Sequence, residues 1–333
     1  MRALVSAIAS LVLPGYGLAI AGRRRAALGF ALGVIALHAL VLVTPLAILG
    51  AFAARLASAI YGAAVVRRGV ALDWLGAMAL VVAGVSIAAM VGLRVLVVGG
   101  YRIPSASMAP TLVAGDDVFI DKLSIWWKPV ERGEVIVFRD PCDPAIDYVK
   151  RVVAIGGDTV EIRCDALYVN GRAVPPALLD PSDTYTDVDE RRGKWRDAPA
   201  ARYFEELNGH RYNVLHDIKG VERAQLGLPS PHDFPRSVAD VPSCAREPGS
   251  VDRSGAVHGR VVEGPRGVGV CEPQRAYLVP PGYLFAVGDN RGDSNDSRQF
   301  GPVSSALVRG RVTGIWMTSG EHGASFARVG NIQ

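Results

Sequence analysis

The chain has 333 residues, 50% of them hydrophobic, with 36 Lys and Arg against 32 Asp and Glu and a formal net charge of +4. Residues 1–100 hold eight Arg (2, 23, 24, 25, 55, 67, 68 and 94), one acid, Asp73, and no Lys or Glu, so that stretch carries +7 and the remaining residues carry −3. The basic excess therefore flanks apolar sequence and is no footprint for nucleic acid, which requires Lys and Arg clustered on the soluble part.

Residues 3–21 are apolar but broken by Pro14, Gly15 and Gly17, and Arg23-Arg24-Arg25 follows. Only Arg2 precedes them and further apolar segments follow, which argues against a cleaved leader. A hairpin dipping into the bilayer, or a poor spanning helix, fits better. Residues 26–50 are long enough to cross a hydrocarbon core at about 1.5 Å per residue. Residues 51–66 continue the run with Arg55 near the middle, an expensive residue at that depth. Residues 74–98 read as a clear spanning helix. Arg67-Arg68 precedes it, and basic residues favour the cytoplasmic side. Everything after residue 100 is then expected outside the cytoplasm. Two arrangements satisfy this: crossings at about 26–44, 45–66 and 74–98 with Arg23–Arg25 inside, or a crossing at 3–21 that leaves the triplet outside, which the charge rule disfavours. The expectation is a membrane region at 1–98 of about three transmembrane helices and an extracytoplasmic domain at 99–333.

Ile103-Pro104-Ser105-Ala106-Ser107-Met108-Ala109-Pro110-Thr111-Leu112 follows directly. Each proline fixes its own φ and biases the preceding residue toward an extended conformation, so the stretch reads as a stiff ledge presenting serines. Short alternating strands come next: Asp117–Asp121, Glu134–Phe138, Tyr148–Ile155, Thr159–Ile162, and Leu167–Arg172 with an Asn-Gly turn. Trp126, Trp127 and Pro129 form an apolar excursion among them. Residues 175–275 are rich in Pro, Asp, Arg and Gly. Few strands are legible there, Tyr212–Leu215 being one, and the stretch reads as an insertion or peripheral subdomain. Strands return at Tyr283–Val287 and Val308–Trp316. Between these lies the polar run from Gly288 to Arg298. The outer domain is expected to be mostly β.

Four cysteines, Cys142, Cys164, Cys244 and Cys271, all follow the apolar region. They lack CxxC spacing and an accompanying His cluster, so a zinc site is not expected. An even count in an exported domain suggests two disulfides. Pairing each cysteine with its nearest neighbour, Cys142–Cys164 and Cys244–Cys271, closes loops of roughly 22–27 residues.

Amide hydrolysis needs a nucleophile, a base and donors for a developing oxyanion. The histidines at 210, 216, 232, 258 and 322 all lie in the weakly patterned stretch or the tail, so a Ser-His-Asp triad fits poorly. Of the lysines at 122, 128, 150, 194 and 219, only Lys150 sits inside an apolar strand. Alternation puts Lys150 and Arg151 on opposite faces, so one of them should point inward. A buried lysine loses solvation, its pKa falls, and its neutral amine can serve as a base.

PSASMAPTL after a membrane helix, RGEVIVF at 132–138, DYVKRVVAIGGD at 147–158 and GDNRGDSNDSR at 288–298 occur in an order that resembles the bacterial type I signal peptidase family, serine proteases with a Ser-Lys dyad. The resemblance covers about 100–120 residues of the outer domain. It implies transmembrane helices followed by a mainly antiparallel β catalytic domain. Ser107 then matches the nucleophile and Lys150 the general base. Ser105 matches an oxyanion donor working with the Ser107 N–H, and Ser294 the residue that orients the lysine amine. Asp296 and Arg298 match a supporting polar pair. The implied activity is removal of signal peptides from secretory preproteins after A-x-A-like sites, at the extracytoplasmic face of the bacterial plasma membrane, with the lipid bilayer as surroundings and with neither metal nor organic cofactor. The resemblance is silent on residues 1–70 and on 175–275. A self-cleaving repressor of Ser-Lys type would need a DNA-binding module at the N-terminus. A transporter would need paired inner acids or repeated halves. A catalytically inactive membrane scaffold that kept the fold is the remaining alternative, and the presence of both Ser107 and Lys150 argues against it.

Overall fold

The computed structural model describes residues 98–189, 194–244, 259–264, 269–320 and 323–332, and four positions between 25 and 32. Those four and Val98 apart, the expected membrane segments lie outside the described residues, among which no helix is long and apolar enough to cross a membrane; Val98, expected to end the last spanning helix, instead opens the first strand.

In chain order the described strands begin with β1 (Val98–Arg102), β2 (Asp116–Asp121), β3 (Val135–Arg139), β4 (Asp147–Ile155), β5 (Thr159–Arg163), β6 (Ala166–Val169) and β7 (Arg172–Val174). Two long strands, β8 (Ala177–Asp189) and β9 (Lys194–Leu207), lead into β10 (His210–His216) and helix α1 (Ile218–Gln225). Then follow β11 (Arg260–Glu263), β12 (Arg275–Leu278), β13 (Tyr283–Val287), the short helix α2 (Ser297–Phe300), β14 (Val303–Ser304), β15 (Val308–Gly320), β16 (Gly323–Ser325) and β17 (Gly330–Asn331). They assemble into three antiparallel sheets. The largest runs β1-β2-β15-β3-β4-β13-β14, with β16 and β17 paired to β15; the others run β10-β9-β8 and β11-β12-β5-β6-β7. The antiparallel β domain expected from the sequence is present. Asn170 and Gly171 take φ of 53° and 70° between β6 and β7, the left-handed pair that an Asn-Gly hairpin turn requires.

β4 is an inner strand, paired on one side to β3 and on the other to β13. Both of its faces are covered. Val152 joins Ile136, Phe138, Leu284 and Phe300 in one apolar cluster, while Val153 joins Tyr212, Phe234, Tyr277 and Phe285 in another. Lys150 and Arg151 are consequently both buried, 2% and 1% exposed. The alternation argument had left one of them facing solvent, which holds only for a sheet with a wet face.

The segment after β1 also differs from its expectation. It is a succession of tight turns, with Ala109 N–H donating to Ala106 O (2.9 Å) and Leu112 N–H to Met108 O (2.9 Å). Burial of Met108 and Leu112 against Val118, Ile120 and Val137 fixes this path, overriding the extended bias of the prolines. Residues 177–207, where no strand was legible, form the long hairpin β8–β9.

The cysteine pairing is a correction. Cys142 bonds Cys244 and Cys164 bonds Cys271, not the nearest-neighbour pairs expected from loop length. The partners lie 102 and 107 residues apart in sequence. Sheet topology explains this. Cys164 closes the β5–β6 turn, and β12, four residues after Cys271, pairs with β5. Cys142 instead packs against the Phe138–Phe300 cluster of the large sheet. Loop-closure entropy rises only slowly with length, so a short loop is a weak guide once strands bring distant segments together.

Candidate active site

The turn segment 105–112 carries Ser107 to the exposed edge of the covered face of β4. Nζ of Lys150 lies 2.7 Å from Oγ of Ser107, and Ser105 Oγ donates to Ser107 Oγ at 3.3 Å. Ser107 and Ser105 are half-buried and open to an incoming chain, whereas Lys150 is enclosed. Burial brings the Lys150 pKa down to about 8; the through-space pull of Asp296 and Asp289 opposes that fall, and Arg298 adds to it. The Tyr148 ring lies 5.3 Å from the amine. An amine at 2.7 Å from a hydroxyl, with a pKa near neutrality, can take that hydroxyl's proton.

The backbone around Ser107 is held from two sides. Asn290 N–H donates to Ser107 O (3.2 Å) and Asn290 Nδ2 to Ala106 O (3.3 Å). From the β8–β9 hairpin, Asp187 Oδ1 accepts the Ala106 N–H at 3.3 Å, and Arg196 pairs with the other oxygen at 3.0 Å. Gly288 lies under the nucleophile: a Cβ there would stand 2.4 Å from Ser107 O and 2.3 Å from Ser294 Oγ, so any side chain would displace the site.

Behind this layer Arg298 grips Asp296 with two nearly parallel bonds of 2.9 and 2.8 Å. Asp296 also accepts the Gly288 N–H at 3.0 Å and caps α2. Burial alone would raise the Asp296 carboxyl, but the Arg298 charge and these hydrogen bonds hold it below the ordinary carboxylate range. On the other face of β4, Asp289 receives Arg151 Nε at 2.8 Å and Nη2 at 2.7 Å, and Thr111 Oγ1 donates to it.

The sequence model of the family described as signal peptidase, peptidase S26, matches residues 74–317. The chain belongs to this family. It is similar to signal peptidase I of Aquifex aeolicus (strain VF5), 29% identical over 232 residues, covering 69% of this chain and 80% of that protein. Signal peptidase I of Bacillus caldolyticus is 37% identical over 228 residues, covering 68% and 84%. That of Pseudomonas fluorescens is 28% identical over 268 residues, covering 72% and 74%. Membership of the signal peptidase family makes the chain a peptidase.

Of the residues singled out in the sequence, Ser107, Lys150 and Ser105 meet, and Asp296 and Arg298 form one buried pair behind them. Ser294 sits against Gly288, yet its Oγ is buried without a well-formed hydrogen-bond partner among the described residues. The expected bond to the Lys150 amine is therefore not made. Gly288, Asp289, Asn290 and Asp187 escaped the sequence reading. The first three stood inside the polar run already noted for Ser294. Asp187 carried no signal, because its link to Ala106 depends on the path of the hairpin.

Proposed function

We propose that this signal peptidase family member is a membrane-bound endopeptidase that removes signal peptides from secretory preproteins, using Ser107 as nucleophile and Lys150 as general base. The observation that carries the proposal is the 2.7 Å approach of the buried Lys150 amine to Ser107 Oγ. The neutral amine takes the Ser107 proton as Oγ attacks the scissile carbonyl carbon. The oxyanion that forms is stabilised by the Ser105 hydroxyl and the Ser107 N–H. The Lys150 ammonium then gives its proton to the departing amine, leaving an acyl-enzyme on Ser107. A water deprotonated by Lys150 hydrolyses that ester and restores both residues.

Residues 74–97, as a spanning helix led by Arg67-Arg68, would keep the catalytic domain outside the cytoplasm, beside the membrane in which the apolar part of a signal peptide lies. The expected sites end in small residues of A-x-A type. The test is incubation of the detergent-solubilised chain with a preprotein, with mass spectrometry of the products. A mature N-terminus directly after such a site, absent with Ser107→Ala, supports the proposal; an uncut preprotein refutes it.

A further inference from the structure

Three consecutive peptide groups carry the serine pair, and the loop after β13 fixes two of them. Asn290 Nδ2 donates to Ala106 O (3.3 Å) and Asn290 N–H donates to Ser107 O (3.2 Å). A planar trans peptide turns as one body, so the first of these bonds also sets where the Ser107 N–H points. The peptide joining Ser105 to Ala106 is held from elsewhere. Its N–H donates to Asp187 Oδ1 at 3.3 Å, on the β8–β9 hairpin. Ser105 is the residue that enters this peptide, so the direction of the Ala106 N–H is tied to the backbone that aims Ser105 Oγ.

Pattern and packing bring Asp187 to that place. Asp183, Tyr185 and Asp187 alternate along β8 and so share a face. Tyr185 packs against the apolar cluster of Ala106, Ala109, Ala200 and Leu215, and its hydroxyl donates to Asp293 Oδ2 at 3.1 Å. Asp183 accepts from Arg202 Nε of β9 at 2.6 Å. Asp187 is 8% exposed, and the residue directly across from it on β9 is Arg196, which donates to Oδ2 at 3.0 Å. Opposite charges facing each other across an antiparallel pair attract. One carboxylate oxygen thus holds the serine backbone, and the other is held by an arginine whose side chain is 58% exposed. Without that cation, a buried negative charge next to the serine pair would oppose a developing oxyanion.

We propose that Asp187 is a positioning residue for the oxyanion donors: it orients the Ser105–Ala106 peptide, and with it the Ser105 hydroxyl, while Arg196 holds its carboxylate and offsets its charge. This rests on the reading of Ser105 as a donor to the oxyanion. The long hairpin then has a task at the site, since a residue 81 positions along the chain closes back on the one before the nucleophile. Donors already aimed need no reorganisation as charge develops, so a donor left to swivel weakens kcat rather than substrate binding.

The test measures kcat and KM of the full chain in detergent on a short peptide with a small-residue cleavage site. Asp187→Ala should lower kcat by roughly tenfold to a hundredfold and leave KM within about twofold. Asp187→Asn keeps an oxygen for the Ala106 N–H and should recover most of that loss. Ser105→Ala/Asp187→Ala should be about as slow as Ser105→Ala alone, because an absent hydroxyl has no aim to lose. The acid limb of the pH profile should stay near pH 8 in each variant, since the charges that act on the Lys150 amine are Asp296, Asp289 and Arg298. Arg196→Ala, a change at the surface, should lower kcat by roughly fivefold, and adding Asp187→Asn should restore it. That pair decides the matter even if Asp187→Ala does not fold. Losses that multiply in the Ser105 double variant would overturn the inference. So would an Asp187→Asn as slow as Asp187→Ala, a rise in KM at constant kcat, a shifted acid limb, or a wild-type rate in Arg196→Ala. If Ser105→Ala loses kcat and Asp187→Ala does not, the inference fails alone. If Ser105→Ala matches wild type, the oxyanion reading of Ser105 fails and takes the inference with it.

Discussion

β4 buries adjacent basic residues on its two faces and treats them oppositely. Arg151 meets a carboxylate, Asp289, at 2.8 and 2.7 Å, and a guanidinium matched in this way keeps its charge inside the protein. Lys150 meets a hydroxyl. The carboxylates near it are already engaged, Asp296 by Arg298 and Asp289 by Arg151, and act on it only through space. Desolvation prevails and brings its pKa to about 8. Burial is equal on the two faces; the bonded partner decides whether the cation is structural or can deprotonate.

Replacing the two cations tests that distinction most severely. Ser107→Ala, Lys150→Ala and Lys150→Arg should each lose about 10⁴–10⁶-fold in preprotein turnover, measured on variants of confirmed folding. Lys150→Arg belongs with the others because a guanidinium does not deprotonate in a protein. Across the strand, Asp289→Ala should deprive the buried Arg151 of its Asp289 carboxylate and lower stability by about 3–5 kcal/mol in denaturant unfolding. Loss of turnover without loss of stability there would make Asp289 part of the chemistry and break the contrast. Ser105→Ala should reduce turnover by about 10²–10³-fold, as expected for one lost oxyanion donor, with little change in unfolding.

A smaller effect concerns what Lys150 does to the fold. Its folded pKa lies below the unfolded value near 10.5, so below pH 8 the folded state bears the cost of a buried ammonium. Lys150→Met should therefore stabilise the chain at pH 7 by on the order of 3 kcal/mol. Between pH 8 and 10.5 the unfolded state binds the extra proton, so wild-type stability rises and the advantage of the variant should shrink. Unfolding curves at pH 7 and 10 read this directly, and a constant difference would contradict the shift.

The strands that build this site were legible because their pattern is local. β2, β3, β4, β13 and β15 carry β-branched and aromatic residues in short runs, and their burial follows from that chemistry. What escaped the sequence is what depends on distant segments. β8 is mostly exposed, β9 mixes exposed and buried residues without a period of two, and the pair takes its order from mutual pairing, so no apolar alternation marked them. Gly288 matters through the absence of a side chain beneath Ser107, a close approach that only the fold creates. The cysteines were misassigned for the same reason: β5 and β12 meet across more than 100 residues, as the Cys164–Cys271 separation of 107 records. Ser107 and Lys150, 43 residues apart, could be paired because the motifs around them, in their order along the chain, resemble those of a known family; local context alone marked only a proline-bracketed serine stretch and a lysine in an apolar strand.

The pH dependence of kcat/KM tests the role of Lys150 most directly. Measured from pH 6 to 10 on a substrate that does not itself titrate there, it should rise about tenfold per unit on the acid side and level off above an apparent pKa near 8, as the Lys150 amine becomes neutral. A profile flat across pH 7–9, or one that breaks near 6.5 where an ordinary histidine titrates, would show that another group takes the Ser107 proton.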